Sequence, residues 1–247
     1  MVQVSQRTSF SGPTLIRLLA RLTDVDVPES RQSLSDRLSQ WLGWADAIEL
    51  STALSGNPPA VASGARAFGS AEERDCARVR TALADAIAGD SALAPARRRG
   101  QAHPPAQADA VDAVVDYAVY RQRYLSVQQA METGIGNLRG RLRSMLAAST
   151  PAMSRLAVLD AAMERALSAR ERSLLAAVPA LLEGHFERLR QAGQAALADA
   201  QVPGERAAVT PGAWLDVFRK DMRSVLLAEL DIRFQPVEGL LAALRSS

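Results

Sequence analysis

The chain has 247 residues, with 29 Lys and Arg against 27 Asp and Glu, so its formal net charge is only +2 and bulk charge excludes a wholly basic polyanion binder. The single cysteine, Cys76, excludes an internal disulfide and fits a reducing compartment. Hydrophobic residues make up 48% and aromatic residues 4%, so a core of ordinary size must be packed with Leu, Ala and Val, a composition that favours helices.

Apolar spacing is helical along nearly the whole chain, and no run of alternating β-branched residues occurs. After Gly12-Pro13, a short helix carries Leu15, Leu18, Leu19 and Leu22 on one face. A second helix is expected from near Pro28, with a stripe of Leu34, Leu38, Trp41, Leu42, Ala45 and Ile48. A loop rich in Gly and Pro covers about Ser55 to Gly69. Ser70-x-x-Glu73 reads as a capping box opening a third helix to about Gly89. Asp90 to Gln107 holds Pro95, the triplet Arg97-Arg98-Arg99, Gly100 and Pro104-Pro105, and reads as a basic linker.

Two long helical segments follow, about Ala108 to Ser149 and Pro151 to Gln201. Thr150-Pro151 supplies an N-cap and a first-turn proline, so a turn there folds the pair into an antiparallel hairpin. Gly134 and Gly136 weaken the first arm, and Pro179 kinks or breaks the second. Thr210-Pro211 opens a further helix with Trp214, Phe218, Met222, Val225, Leu226 and Leu230; Pro236 is expected to separate it from a short terminal helix. The fold class is therefore all-α: an elongated helical bundle with a long antiparallel hairpin at about 108–201 and smaller N- and C-terminal helices. Its expected divisions are 1–89, the linker 90–107, and 108–247. Arg17 and Arg21 interrupt the apolar residues near the start, and no run of 18 apolar residues exists, so a cytoplasmic location is expected.

Much catalytic chemistry lacks its residues. Lys220 is the one lysine and follows no glycine run, which removes the phosphate-binding P-loop. With His103 and His185 the two histidines and Cys76 the one cysteine, a structural zinc site of Cys and His is excluded. No GxSxG elbow occurs, and Gly134-x-Gly136 has Arg139 where a dinucleotide fingerprint needs glycine. Glu183, His185 and Glu187 read as a polar face with an ordinary histidine, and Cys76 as a quiet structural thiol. No cofactor or metal is expected and no catalytic residue is assigned. A carboxylate-dependent nuclease stays open as an alternative.

All three tyrosines and five arginines lie within Tyr117–Arg143, against one acid, Glu132. Tyr117, Tyr120 and Tyr124 share a helical stripe. They either fill a groove of the bundle or stand beside guanidinium groups on a contact surface. Arg139 and Arg143 lie one turn apart, so like charges there require an acidic partner or phosphates. The candidate contacts to nucleic acid or a partner are Tyr120, Arg121, Arg123, Tyr124, Arg139, Arg141 and Arg143, with Arg97, Arg98 and Arg99 as an auxiliary arm.

The opening VQVSQRTSFSGPTLIRLLARLTDVDVPESRQSLSDRLSQWLGWADAIELSTAL and the window YRQRYLSVQQAMETGIGNLRGRLR resemble a proteobacterial family of unknown function. That family is associated with gene clusters beside MotA-like and OmpA/MotB-like membrane proteins, an arrangement similar to type III Zorya anti-phage defence. The resemblance implies a soluble accessory component, with a second soluble accessory protein as partner and only indirect coupling to the motor; the tyrosine–arginine window adds DNA as a further expected ligand. It carries no catalytic residues. The expected function is thus a non-enzymatic component binding DNA or its partner protein. A structural helical adaptor without nucleic-acid binding is the alternative.

Overall fold

The computed structural model describes residues 14–24, 32–56, 69–90, 92–93, 115–200 and 212–246. Among them are eight helices and no strand: α1 (Thr14–Thr23), α2 (Leu34–Trp41), α3 (Trp44–Ser55), α4 (Ser70–Ala88), α5 (Tyr117–Ala147), α6 (Pro151–Leu175), α7 (Val178–Ala200) and α8 (Ala213–Arg245). The all-α class follows the sequence, and so does the hairpin, except that its first arm starts at Tyr117, capped by Asp116, and not near Ala108. No helix among the described residues is long and apolar enough to cross a membrane.

The hairpin turns where Thr150 caps α6: its hydroxyl accepts from the Met153 amide at 3.2 Å, and Pro151 occupies the first turn. The first arm, α5, runs unbroken through Gly134 and Gly136 for 31 residues, about 46 Å at 1.5 Å per residue. The second arm breaks at Ala176–Ala177, just before Pro179. Pro179 has no N–H to give the Leu175 carbonyl one turn back. The Gln128 amide of α5 donates to that carbonyl at 3.2 Å instead. A side chain thus satisfies the acceptor that the proline leaves open.

α8 is the second axis. Tyr120 meets Phe218 and Tyr124 meets Glu229, so α5 and α8 run side by side in the same direction. α4 lies antiparallel to both: Asp75 pairs with Arg141 and Asp90 with Arg123 on α5, while Arg80 reaches Asp231 and Arg245 reaches Glu73 across α8. α7 covers the aromatic end, α1 packs on α7 and α8, and α3 lies on α6. Val225, Leu226, Phe218, Met222, Leu138, Leu142 and Leu146 are among the fully buried side chains of this one core.

Four further expectations are corrected. The second helix does not run unbroken along its stripe. Leu42-Gly43 divides α2 from α3, Ser33 and Asp36 form a capping box at α2, and Trp41, Trp44 and Ile48 face solvent. The third helix is capped one residue earlier than expected: the Gly69 amide donates to Glu72 Oε2 at 3.0 Å, leaving Ser70 in the first turn. Pro236 does not end α8, which continues to Arg245. A mid-helix proline costs about 3 kcal/mol. Burial of Phe234 before it and of Val237, Leu240, Leu241 and Leu244 after it holds both halves on the same core. Asp90 and Leu93, expected at the start of an exposed linker, are buried. Pro28, the Arg97–Arg99 triplet, His103 and Thr210-Pro211 lie outside the described residues. Within them, α8 follows Gly212, whose φ of +77° suits glycine.

Candidate functional site

The tyrosine stripe faces inward. Tyr117 is 7%, Tyr120 4% and Tyr124 0% exposed. The rings of Tyr117 and Tyr120 join Phe186, Trp214 and Phe218 in a cluster of tilted and edge-on contacts, with centroids 5.0–6.2 Å apart. Tyr117 donates its hydroxyl to the Pro179 carbonyl. Burial, with Glu183 nearby, pushes the Tyr117 hydroxyl pKa well above its ordinary value. Of the two readings of the stripe, Tyr120 and Tyr124 take the packing one in this conformation.

Tyr124 belongs to a buried polar knot centred on Glu229, whose side chain is fully enclosed. The Tyr124 hydroxyl donates to Glu229 Oε2 at 2.6 Å, Gln128 Nε2 donates to Oε1 at 2.9 Å, and Arg233 Nε donates to Oε1 at 2.9 Å. Burial first, and then the Glu229 carboxylate, drive the Tyr124 pKa far up, so this hydroxyl stays a donor. Glu229 and Gln128 were not singled out in the sequence. The available signal was an acid inside the apolar stripe Met222, Val225, Leu226 and Leu230.

The arginines of the window are dispersed. Arg139 grips Asp160 with Nε at 2.9 Å and Nη2 at 2.6 Å, and Arg143 pairs with Asp160 and Glu164. Burial alone would lower the Arg139 pKa, but the Asp160 hydrogen bonds and charge hold it above its ordinary value. Arg141 and Arg78 share Asp75, whose carboxyl pKa is lowered chiefly by the Arg78 hydrogen bond. Arg123 binds Asp90, and Arg121 is exposed on a different side of α5. The like charges at 139 and 143 are therefore compensated by acids of the opposite arm. His185 Nε2 lies 2.9 Å from Asp221 Oδ2, a satisfied interior histidine. Burial and Asp75 push the Cys76 thiol pKa up, which keeps it protonated and quiet.

Two surfaces stand out among the described residues. A cavity of about 550 Å³ opens between α5, α6 and α8 beside Trp41 of α2. Outward from the bundle, α3 presents Trp44, 85% exposed, with Ile48 and Leu54. Among the described residues no group of three or more His, Cys, Asp or Glu side chains is placed to hold a metal ion.

No curated protein and no solved structure shows significant similarity to the chain. The family model described as "Protein of unknown function (DUF3348)" matches residues 1–246, and the chain belongs to that family.

Proposed function

We propose that the chain is a non-enzymatic, cytoplasmic helical adaptor that docks a partner protein along α3. The observation that supports this reading is the composition of its outward face. Trp44, Ala47, Ile48, Ser51, Leu54 and Ser55 are exposed, and none carries a charge. A solvated helix face ordinarily carries Lys, Arg and Glu. Water around Trp44 and Ile48 forfeits about 25 cal/mol per Å² of apolar surface that a partner would cover. The fitting occupant is an apolar, uncharged helix laid along α3, with Trp44 as its anchor. The resemblance to a soluble accessory component of type III Zorya anti-phage defence supports a defence setting. There the second accessory protein is the partner, and a MotA/MotB-like motor is the remote source of the signal.

The test is binding of the purified second accessory protein, together with light scattering on the chain alone. Trp44→Ala with Ile48→Ala is expected to weaken the complex by tenfold or more, roughly the loss of one hot spot, with little dependence on salt. Unchanged binding by this variant removes α3 from the interface. A wild-type dimer dissolved by the same substitutions makes a second copy the occupant instead.

DNA binding is the second reading, favoured by the exposure of Arg121. Because Asp160 and Glu164 already hold Arg139 and Arg143, neutralising that pair is expected to leave the salt slope of DNA binding unchanged. Neutralising Arg121 with Arg97–Arg99 is expected to flatten it. Failure of wild type to bind DNA at low salt ends this reading.

A further inference from the structure

We propose that the cavity between α5, α6 and α8 binds an uncharged, planar aromatic molecule. Its volume, about 550 Å³, lies within the range of small-molecule sites. Met131 and Ile135 of α5 and Met163 and Leu167 of α6 give it apolar walls, and thioethers adapt well to flat rings. Trp41 adds an indole at the edge, held by the Arg170 guanidinium 5.7 Å from the ring centroid.

Charge decides the class of ligand. Four arginines and four carboxylates line the cavity, so it offers no net charge to an ion. Those nearest the interior are already engaged, Arg139 by Asp160 and Arg233 by Glu229. An anionic or cationic ligand would have to break these pairs, whereas a neutral ring loses nothing. Carboxylates at the rim, such as the half-exposed Glu171, remain able to accept from a ligand N–H.

The space is kept open by Gly136. A mid-helix glycine costs roughly 1 kcal/mol relative to alanine. A Cβ built at Gly136 meets no atom within 4 Å, although the residue lines the cavity. Packing therefore does not require glycine here, and a larger residue would fill the site. This site is separate from the outward face of α3 and does not depend on it.

The test uses N-phenyl-1-naphthylamine, an uncharged aromatic fluorophore that carries one N–H, with the full chain. Wild type is expected to give saturable enhancement with energy transfer from tryptophan, and Trp41→Phe to reduce that transfer. Gly136→Leu is expected to bind roughly tenfold or more weakly while keeping its helical spectrum and melting temperature. Should Gly136→Leu fail to fold, Leu167→Phe on the facing wall is expected to give the same loss. Trp44→Ala, outside the cavity, is expected to bind as wild type does. Absence of enhancement with wild type, undiminished binding by the folded cavity-filling variant, or loss of binding in Trp44→Ala overturns the proposal.

Discussion

Replacing Arg233 with methionine isolates the electrostatics of the buried knot. Methionine keeps most of the length and apolar volume of the arginine stem and removes the charge. Glu229 is fully enclosed, and Arg233 is itself only 8% exposed, so little water replaces the lost guanidinium. The carboxylate would keep the Tyr124 hydroxyl at 2.6 Å and the Gln128 amide at 2.9 Å, both neutral donors. Leaving one partner of a buried pair uncompensated costs about 3–5 kcal/mol. For a chain of this size each kcal/mol moves the melting temperature by about 2–4 °C, so the expected fall is roughly 6–20 °C. The outer pair of Arg233 with the half-exposed Glu171 adds little. Removing the acid as well, as Arg233→Met with Glu229→Leu, should recover part of the loss. It leaves the Tyr124 hydroxyl buried without its acceptor, a residual cost of about 1–3 kcal/mol. Adding Tyr124→Phe should then recover most of the remainder. Thermal unfolding followed by circular dichroism at the helical band reads all three. A fall under about 2 °C for Arg233→Met, or a double variant less stable than the single one, would refute this account of the knot.

The glycines give opposite signs. Gly136→Ala is expected to stabilise by about 0.5–1 kcal/mol, since its Cβ meets nothing within 4 Å. Gly193→Ala is expected to destabilise by about 1–3 kcal/mol through overpacking, because its Cβ would stand 2.6 Å from Trp214 Cδ1 and 3.0 Å from Cγ. Urea midpoints of the two variants measure both, and equal shifts would contradict the packing around Trp214. Alkaline pH probes Tyr117 and Tyr124, whose folded pKa values are raised. Their contribution to stability is full below the unfolded tyrosine pKa of about 10 and falls as pH rises beyond it. Tyr124→Phe should flatten that alkaline decline, and absorbance at the phenolate band should show neither residue ionising before unfolding. Ordinary titration of Tyr124 in the folded protein would contradict its enclosure.

What the sequence made legible was local. Thr150-Pro151 carries its own cap and its own first-turn proline, and Pro179 removes a donor wherever the chain takes it. Pro236 obeys the same chemistry, yet tertiary burial on both sides outweighs it, and no local pattern reports that burial. The capping box slipped by one residue because Glu72 and Glu73 adjoin, and each suits a start at its own third position. The tyrosine stripe was legible as a stripe, but its direction depends on Phe186 and Phe218, distant in sequence. The partners of Arg139 and Arg143 were within reach of the hairpin itself. Folding at Thr150 carries Asp160 and Glu164 back toward them, a register that charge counting within one window does not see. The cavity was not legible, since three helices and Trp41 must assemble before it exists.

The packing of α1 bears on how the protein is made. Among the described residues, α1, with its buried Leu15 and Leu22, packs on α7 and α8, which leave the ribosome long after α1. During synthesis α1 therefore waits with its apolar side uncovered, and the bundle closes late, when α8 arrives to complete the groove. A nascent chain stalled before α8 should be a client for chaperones that hold exposed leucine-rich helices, whereas the released chain should not.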